Sequence, residues 1–281
     1  MSLSEQLKHF RETHTISHRT VSGNGWSYIV TGAGAPTVVV LPGGLGCDPE
    51  CMFPVVAALE QRNRVIVIGY SPTATTVSEL LEGVRAILDD CGVEHCCMLG
   101  HSLGGFVERA FAQSDPQRVD SLIIANSAVY TPGRALLIRA VLPASLILPR
   151  RLMLSAMHSE FNGLLKKLPD ADREFWMSFL WQAEIVANPN SKGLRSQSRC
   201  MIDFIRNGWD KPVQMTGWSG RVLIIESSEE TGFTPRERQV FRTLYPGATV
   251  HIIQGAGHGS FMTHTQEFVG TVAGFLAEAE H

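Results

Sequence analysis

The most informative segment of this chain is Gly100-His101-Ser102-Leu103-Gly104-Gly105. Residues 94–99 before it form an apolar pattern typical of a buried strand, and residues 103–113 after it have helical periodicity. A chain that passes directly from a strand into a helix turns so tightly that the residues two before and two after the central serine must be small. Gly100 and Gly104 meet this requirement. The stretch therefore predicts a sharp strand-to-helix turn with Ser102 at its apex.

The geometry of such a turn indicates what Ser102 can do. The turn pushes the serine hydroxyl out at the carboxyl end of a sheet, and it places the Leu103 N–H at a helix N-terminus, where developing negative charge is stabilised. These are the properties of a nucleophile elbow. We therefore predict that Ser102 is a nucleophile and that the Leu103 N–H helps to form an oxyanion hole.

The alternation of strand and helix extends to both sides of this turn. Strand patterns occupy residues 18–21, 26–31, 37–41, 64–69, 94–99, 121–125, 221–225 and 249–253. Helical patterns occupy residues 49–61, 76–90, 103–113, 235–245 and 265–278. Repeated strand–helix–strand units are typical of a parallel sheet with helices on both faces. The sequence thus predicts an α/β fold with a mostly parallel eight-stranded sheet flanked by helices.

The alternation stops over residues 127–217, where helical patterns occur without a clear strand. We predict an α/β core formed by residues 1–126 and 218–281, and an inserted helical cap formed by residues 127–217. The cap carries many large apolar side chains: Met153, Met157, Phe175, Trp176, Met177, Phe179, Leu180 and Trp181. We expect most of them to pack the cap onto the sheet and a few to face a pocket.

The order of motifs resembles that of the α/β-hydrolase superfamily, from the strand near Trp26 to the last helix. Members of this superfamily carry a nucleophile, an acid and a histidine in that chain order, with the histidine just before the last helix. The strand that ends at Ile253 is followed here by Gln254-Gly255-Ala256-Gly257-His258-Gly259. The resemblance implies that His258 is the base that activates Ser102.

The acid is the point at which this chain departs from the superfamily pattern. Where the superfamily usually has glycine, two residues and an aspartate, this chain has Ser227-Ser228-Glu229-Glu230. Counting from the strand puts the acid at Glu230, whose longer side chain can still orient an imidazole. Counting back from Pro235 points to Thr231, which indicates one extra residue in this loop, and Glu230 is the nearer carboxylate by both counts. Glu229 stays open as an alternative. No carboxylate follows the sixth strand, where the chain has Asn126-Ser127.

The resemblance also implies a second oxyanion donor in the loop Pro42-Gly43-Gly44-Leu45-Gly46. Pro42 stands where the superfamily usually has a histidine, so any hydrogen bond from that side chain is absent. The backbone N–H of Gly44 survives this change, and we predict an oxyanion hole formed by Gly44 and Leu103. Leu45 is the second choice in place of Gly44.

Composition and charge exclude several classes of partner. Hydrophobic residues make up 44% and charged residues 18% of the 281, as in an ordinary globular protein. The formal net charge of -3 gives no basic field, so we expect no nucleic acid and no membrane as partner. No run resembles a secretory signal or a membrane-spanning helix, so a cytoplasmic location is expected. No pattern indicates an oligomeric state.

The cysteines give no sign of a metal centre. They are Cys47, Cys51, Cys91, Cys96, Cys97 and Cys200. Their spacing matches no paired metal-binding framework, and the neighbours Cys96 and Cys97 would point to opposite faces of a strand. We therefore expect reduced thiols, no metal and no cofactor.

These features together predict a serine hydrolase that uses Ser102, His258 and Glu230 on a small-molecule substrate. The predicted substrate is a small, largely apolar carboxylic ester, lactone or thioester held under the cap. Two alternatives use the same three residues, namely cleavage of an amide and cleavage of a carbon–carbon bond. A third belongs to another class, a non-catalytic ligand-binding protein on the same fold.

Overall fold

The computed structural model describes residues 1–44, 48–145, 147–182, 192–209 and 218–278. The strands are β1 (Ser17–Val21), β2 (Asn24–Thr31), β3 (Val38–Leu41), β4 (Val65–Gly69), β5 (Cys96–His101), β6 (Val119–Ala125), β7 (Arg221–Ser227) and β8 (Thr249–Ile253). They form one eight-stranded sheet in the order β1-β2-β4-β3-β5-β6-β7-β8. The pairing of β2 with β1 and with β4 is antiparallel, and the other pairings are parallel. The predicted mostly parallel sheet is confirmed.

The direction of the strands positions the candidate site. Parallel strands end at the same edge of a sheet, so the residues that follow β5, β6, β7 and β8 are brought together there. These four strands are neighbours in the sheet, although β6 and β7 are separated by almost a hundred residues of sequence. Residues from distant parts of the chain therefore converge at one edge.

Helices cover both faces of the sheet. They are α1 (Leu3–Thr13), α2 (Phe53–Leu59), α3 (Val77–Asp90), α4 (Leu103–Ser114), α5 (Pro132–Ser145), α6 (Arg150–Leu165), α7 (Asp170–Trp181), α8 (Lys192–Arg206), α9 (Pro235–Leu244), α10 (Ser260–Thr263) and α11 (Thr265–Ala277). Two separate apolar cores result, one on each face, and Cys96 belongs to one core while Cys97 belongs to the other. None of the described helices is long and apolar enough to cross a membrane.

Helix α1 was not predicted, although its signal is in the sequence. The Ser2 hydroxyl accepts a hydrogen bond from the Glu5 N–H, and the Glu5 carboxylate accepts one from the Ser2 N–H, which forms a capping box. Leu7 and Phe10 face inward from this helix and are buried in the same core as Phe53. The helix thus covers one face of the sheet as the other helices do.

The described residues between β6 and β7 form helices α5 to α8 and no strand. This agrees with the helical patterns, while the boundaries of the predicted cap stay a prediction. The large apolar residues of α7 mostly pack inward, because the Trp176 ring lies 5.6 Å from that of Phe53 and 5.7 Å from that of Phe179. Trp176 itself is 1% exposed. Its burial identifies it as a core residue and not as a wall of an open pocket.

Two glycines in helices provide a matched test of this packing. A Cβ added to Gly83 in α3 would overlap the indole of Trp26 on β2, whereas one added to Gly270 in α11 would meet nothing within 4 Å. We expect Gly83→Ala to lower the free energy of unfolding by about 1 to 3 kcal/mol, because the buried ring has no room to move. Gly270→Ala should raise it by about 0.5 to 1 kcal/mol through helix propensity alone. Thermal melts of both variants measure the difference, and a gain in stability for both would contradict this account of the α3–β2 contact.

Candidate active site

The turn between β5 and α4 holds Ser102 in a strained conformation. The backbone of Ser102 has φ 52° and ψ -110°, a region that residues with a side chain rarely adopt. A Cβ at Gly104 would overlap the Leu41 carbonyl oxygen, and a Cβ at Gly100 would overlap the backbone of Gly104. Both positions require glycine because β5, α4 and β3 approach so closely. The close approach fixes Ser102 at the carboxyl edge of the sheet.

Three side chains from separate loops meet at this edge. His258 Nε2 lies 2.9 Å from Ser102 Oγ, and His258 Nδ1 lies 2.7 Å from Glu230 Oε1. An ionised carboxylate only accepts hydrogen bonds, so His258 Nδ1 carries the proton and Nε2 is left to accept from the Ser102 hydroxyl. The structure thus brings together the three residues that the sequence analysis selected.

The carboxylate of Glu230 is buried and charged. Burial raises the pKa of this carboxyl group, but hydrogen bonds and the charge of His258, together with hydrogen bonds from Asn126 and Gly232, lower its pKa to about 2. The Asn126 amide donates over 2.8 Å to Oε2, and the Gly232 N–H donates over 2.6 Å to Oε1. Glu230 therefore stays ionised at any pH near neutrality, as an orienting group for a histidine must.

Asn126 connects Glu230 to the rest of the site. It directly follows β6 and has a φ of 46°, which asparagine tolerates better than most residues. Its Nδ2 donates over 2.8 Å to Ser227 Oγ as well as to Glu230, and its Oδ1 accepts from Ser260 Oγ over 2.6 Å. All of these bonds fit one orientation of the amide, which fixes the Glu230 carboxylate opposite His258.

Glu229 occupies a different environment. Its side chain is 47% exposed and pairs with Lys167, whose hydrogen bond lowers the pKa of this carboxyl group. Lys167 also donates to the Gly255 carbonyl oxygen over 3.1 Å. Lys167, two residues after the end of α6, thus contacts two loops of the core, and Glu229 makes no described hydrogen bond to His258.

The two predicted oxyanion donors lie side by side. A Cβ added to Gly44 would lie 3.7 Å from Leu103 Cβ, so the backbone of Gly44 faces the first residue of α4. The same Cβ would lie 3.1 Å from Oε1 of Gln197, which places an amide of helix α8 beside this loop. Leu45, the alternative donor, lies outside the described residues.

His101 braces the loop that carries His258. Its Nε2 lies 2.8 Å from the His258 carbonyl oxygen, and burial with the nearby charge of His258 lowers the pKa of His101 to about 3. The neutral ring must therefore carry its proton on Nε2 and donate it to that carbonyl. A Cβ on Gly43 would come within 2.9 Å of the other ring nitrogen, which explains the glycine there.

Arg134 on α5 ties the neighbouring helix to the loop of Glu230. Its guanidinium donates over 2.7 Å to the Gly232 carbonyl oxygen and over 2.6 Å to Glu237, whose side chain is fully buried. The guanidinium also lies over the rings of Tyr130 and Phe233, at 5.3 Å and 5.9 Å. Helix α5 is thereby fixed beside the candidate site.

Sequence reasoning missed the supporting residues of this site. In the sequence, Asn126 stands out only as the lack of a carboxylate after the sixth strand, and His101 only as part of the turn motif. Gln197 and Arg134 carried no local signal, because their roles depend on contacts with residues about a hundred or more positions away. The described residues contain no group of three or more His, Cys, Asp or Glu side chains arranged to hold a metal ion.

A parallel sheet with a strained serine turn after β5, a carboxylate after β7 and a histidine after β8 defines the α/β-hydrolase class of fold and site. The family model described as "Alpha/beta hydrolase family" matches residues 38–271 of the chain. The chain therefore belongs to this family and is an enzyme of the hydrolase kind.

Individual relatives agree with this assignment. An sn-1-specific diacylglycerol lipase of Mus musculus is 24% identical over 258 residues, which cover 86% of this chain and 81% of the relative. A hydrolase from Pseudomonas aeruginosa has a TM-score of 0.76 at 23% identity, over 93% of this chain and 98% of that one. An enol-lactonase from Burkholderia xenovorans has a TM-score of 0.70 at 21% identity, over 93% and 100%. The two structural similarities show the fold.

The neighbouring glutamates provide a paired test of the site. We expect Glu230→Gln to lower turnover of p-nitrophenyl acetate by more than about a hundredfold, because the amide removes the charge that orients and stabilises the His258 ring. Glu229→Gln should change turnover less than about twofold, because an exposed ion pair contributes little. Steady-state kinetics of both purified variants give the comparison. A normal Glu230 variant beside an impaired Glu229 variant would reverse the assignment.

Proposed function

We propose that this enzyme is a serine hydrolase of carboxylic esters, with Ser102, His258 and Glu230 as its catalytic triad. The observation that carries the proposal is the continuous chain of hydrogen bonds from Ser102 Oγ through both nitrogens of His258 to Glu230. This arrangement performs nucleophilic acyl transfer when an acyl carbon is placed beside the serine oxygen.

The proposed reaction begins with attack of Ser102 Oγ on the substrate carbonyl carbon. His258 Nε2 takes the serine proton as the new bond forms, and Glu230 stabilises the resulting imidazolium. The protonated ring then gives its proton to the leaving alkoxide, which leaves an acyl-enzyme. A water molecule releases the acid by the same steps, with His258 as its base.

The N–H groups of Gly44 and Leu103 would hold the oxyanion. The Leu103 N–H lies at the N-terminus of α4, which favours negative charge and needs no rearrangement when the charge develops. The proximity of Gly44 to Leu103 supports this role. Pro42 cannot supply the side-chain hydrogen bond that a histidine would give at that position, so we assign the oxyanion hole to backbone donors.

The surroundings of the triad favour an apolar substrate. The Phe233 ring lies 6.1 Å from that of His258, and Leu164 of α6 packs over Gly259, where an added Cβ would lie 3.0 Å from its Cγ. Arg134 and Lys167, two cations near the site, each pair with a carboxylate. We propose that residues 127–217 act as a cap over this pocket and that the substrate is a small, largely neutral ester, lactone or thioester.

The names of two relatives support the ester class. One is a diacylglycerol lipase and the other an enol-lactonase, and both names describe cleavage at a carboxylic ester bond. An amide or a carbon–carbon bond uses the same triad, and we place these behind esters because, among the described residues, no further acid is hydrogen-bonded to Ser102 or His258 to assist a poorer leaving group. We further propose a cytoplasmic location.

The central test is removal of the nucleophile. We expect Ser102→Ala to fold normally and to lose nearly all ester turnover and all labelling by a fluorophosphonate probe, because only the hydroxyl is lost. Residual catalysis of roughly 10³ to 10⁴-fold over water can persist in such variants through the oxyanion donors. Circular dichroism controls for folding. Wild-type turnover or wild-type labelling in this variant would rule out the proposed mechanism.

The second test concerns substrate charge. We expect kcat/KM for p-nitrophenyl butyrate to exceed that for the mono-p-nitrophenyl ester of succinate by at least about tenfold, because burying an unpaired carboxylate in an apolar pocket is costly. The two esters share a leaving group, so differences in its departure cancel. Faster turnover of the succinate ester would instead indicate a cation that recognises an acidic acyl group.

A further inference from the structure

The helix that borders the site carries an unusual concentration of exposed apolar side chains. Apart from Met1, the five most exposed large apolar side chains among the described residues all lie between positions 136 and 152. They are Leu136 at 68%, Leu137 at 61%, Val141 at 58%, Ile147 at 84% and Leu152 at 51% exposed. We call these five residues the outer cap face. Monomeric proteins rarely leave such residues grouped in water unless the group binds something.

The positions of these residues put much of the outer cap face on one side of α5. Val141 follows Leu137 by four residues and Leu136 by five, so these three side chains lie on one side of the helix. Ile147 and Leu152 follow on the connection to α6 and on its first turn. The stripe faces solvent, whereas a helix of a folded protein usually turns its apolar side inward.

Basic side chains flank the same face. Arg139, Arg150 and Arg151 are exposed, and none of them forms an ion pair with another described residue. The chain has no Asp or Glu from position 121 to position 159. A charge of one sign is therefore concentrated here, although the protein as a whole is slightly acidic. At physiological salt, electrostatic interactions are screened over about 8 Å. A surface bound to this face therefore interacts with the local positive charge and not with the net charge of the protein.

We propose that helix α5 and its connection to α6 dock on the surface of a lipid bilayer that carries anionic headgroups. Apolar side chains with basic flanks are the pattern of helices that lie in the plane of the interface, with the apolar groups among the acyl chains and the arginines on the headgroups. This local arrangement overrides the expectation, based on net charge, that membranes are not a partner.

A second copy of the chain fits this face less well. In a symmetric dimer the same patch meets itself, so the three exposed arginines would face three more, and the segment that carries them supplies no carboxylate. An anionic bilayer offers the opposite charge together with an apolar layer. The charge of the patch thus selects the bilayer over self-association.

Docking would place the site next to the lipid surface. The first turn of α5 carries Arg134, which contacts the Phe233 ring and the Gly232 carbonyl beside His258 and Glu230. The docked helix and the candidate active site are thus connected by direct contacts. Binding to the bilayer itself does not rest on the proposed catalytic function and is tested without it.

The test is co-sedimentation of the full-length chain with vesicles. One set contains phosphatidylcholine alone, and the other contains equal parts of phosphatidylcholine and phosphatidylserine. We expect binding to the anionic vesicles that weakens as salt is added. Leu136→Ser with Leu137→Ser and Ile147→Ser should weaken it by at least about a hundredfold, because three apolar side chains no longer leave water. Val240→Ser with Val250→Ser and Ile252→Ser, a matched change at exposed apolar positions elsewhere, should leave binding unchanged.

The arginines are tested separately. Replacing Arg139, Arg150 and Arg151 by glutamine should lower affinity for the anionic vesicles about fivefold per side chain and change affinity for phosphatidylcholine much less. This variant and the salt dependence of the wild type decide the question even if the serine variant fails to fold. The proposal is overturned if the wild type stays in solution with both vesicles, or if a folded serine variant binds like the wild type. It is also overturned if, without lipid, the wild type is a dimer that the serine substitutions dissociate.

Discussion

The close approach of three backbone segments around Ser102 is the constraint on which the site depends. Strand β5 must turn into α4 within a single residue, and only glycines at positions 100 and 104 leave room for β3 to pass beside that turn. The cost is a positive φ at Ser102, which persists because the sheet on one side and the helix on the other fix both ends of the turn. The benefit is chemical, since the same geometry exposes the hydroxyl and aims a helix N-terminus at the atom that becomes charged.

The rest of the site keeps one buried negative charge in a fixed place. Glu230 is nearly inaccessible to water, and such a carboxylate stays ionised only if donors surround it. His258, Asn126 and the Gly232 N–H supply those donors from loops that follow β8, β6 and β7. Glu230 is longer than the aspartate that is usual for this role, and the amide of Asn126 accommodates it. Asn126 itself lies after β6, where the acid could otherwise be placed. The loops are held in turn by His101 and Arg134, neither of which bonds to Ser102.

Charge is distributed over the molecule in two different ways. Near the site the charged side chains form ion pairs, Arg134 with Glu237 and Lys167 with Glu229. On the outer cap face, Arg139, Arg150 and Arg151 form no ion pair with another described residue and stand beside exposed leucine, valine and isoleucine. A net charge of -3 conceals this separation, because it sums groups that lie farther apart than the screening length of the solvent.

The class of the fold, the alternation of strands and helices, and the choice of Ser102 and His258 could be predicted from the sequence. Each of these depends on local patterns, such as apolar periodicity or glycines around one turn, which the chain carries within a few residues. The sequence could not separate Glu230 from Glu229 except by counting, because both are loop carboxylates one position apart. The folded chain distinguishes them, because it buries Glu230 beside Asn126 and pairs Glu229 with Lys167 in water. Folding also decides which of the large apolar residues between β6 and β7 are core and which are exposed, because burial depends on contacts between segments that are far apart in sequence.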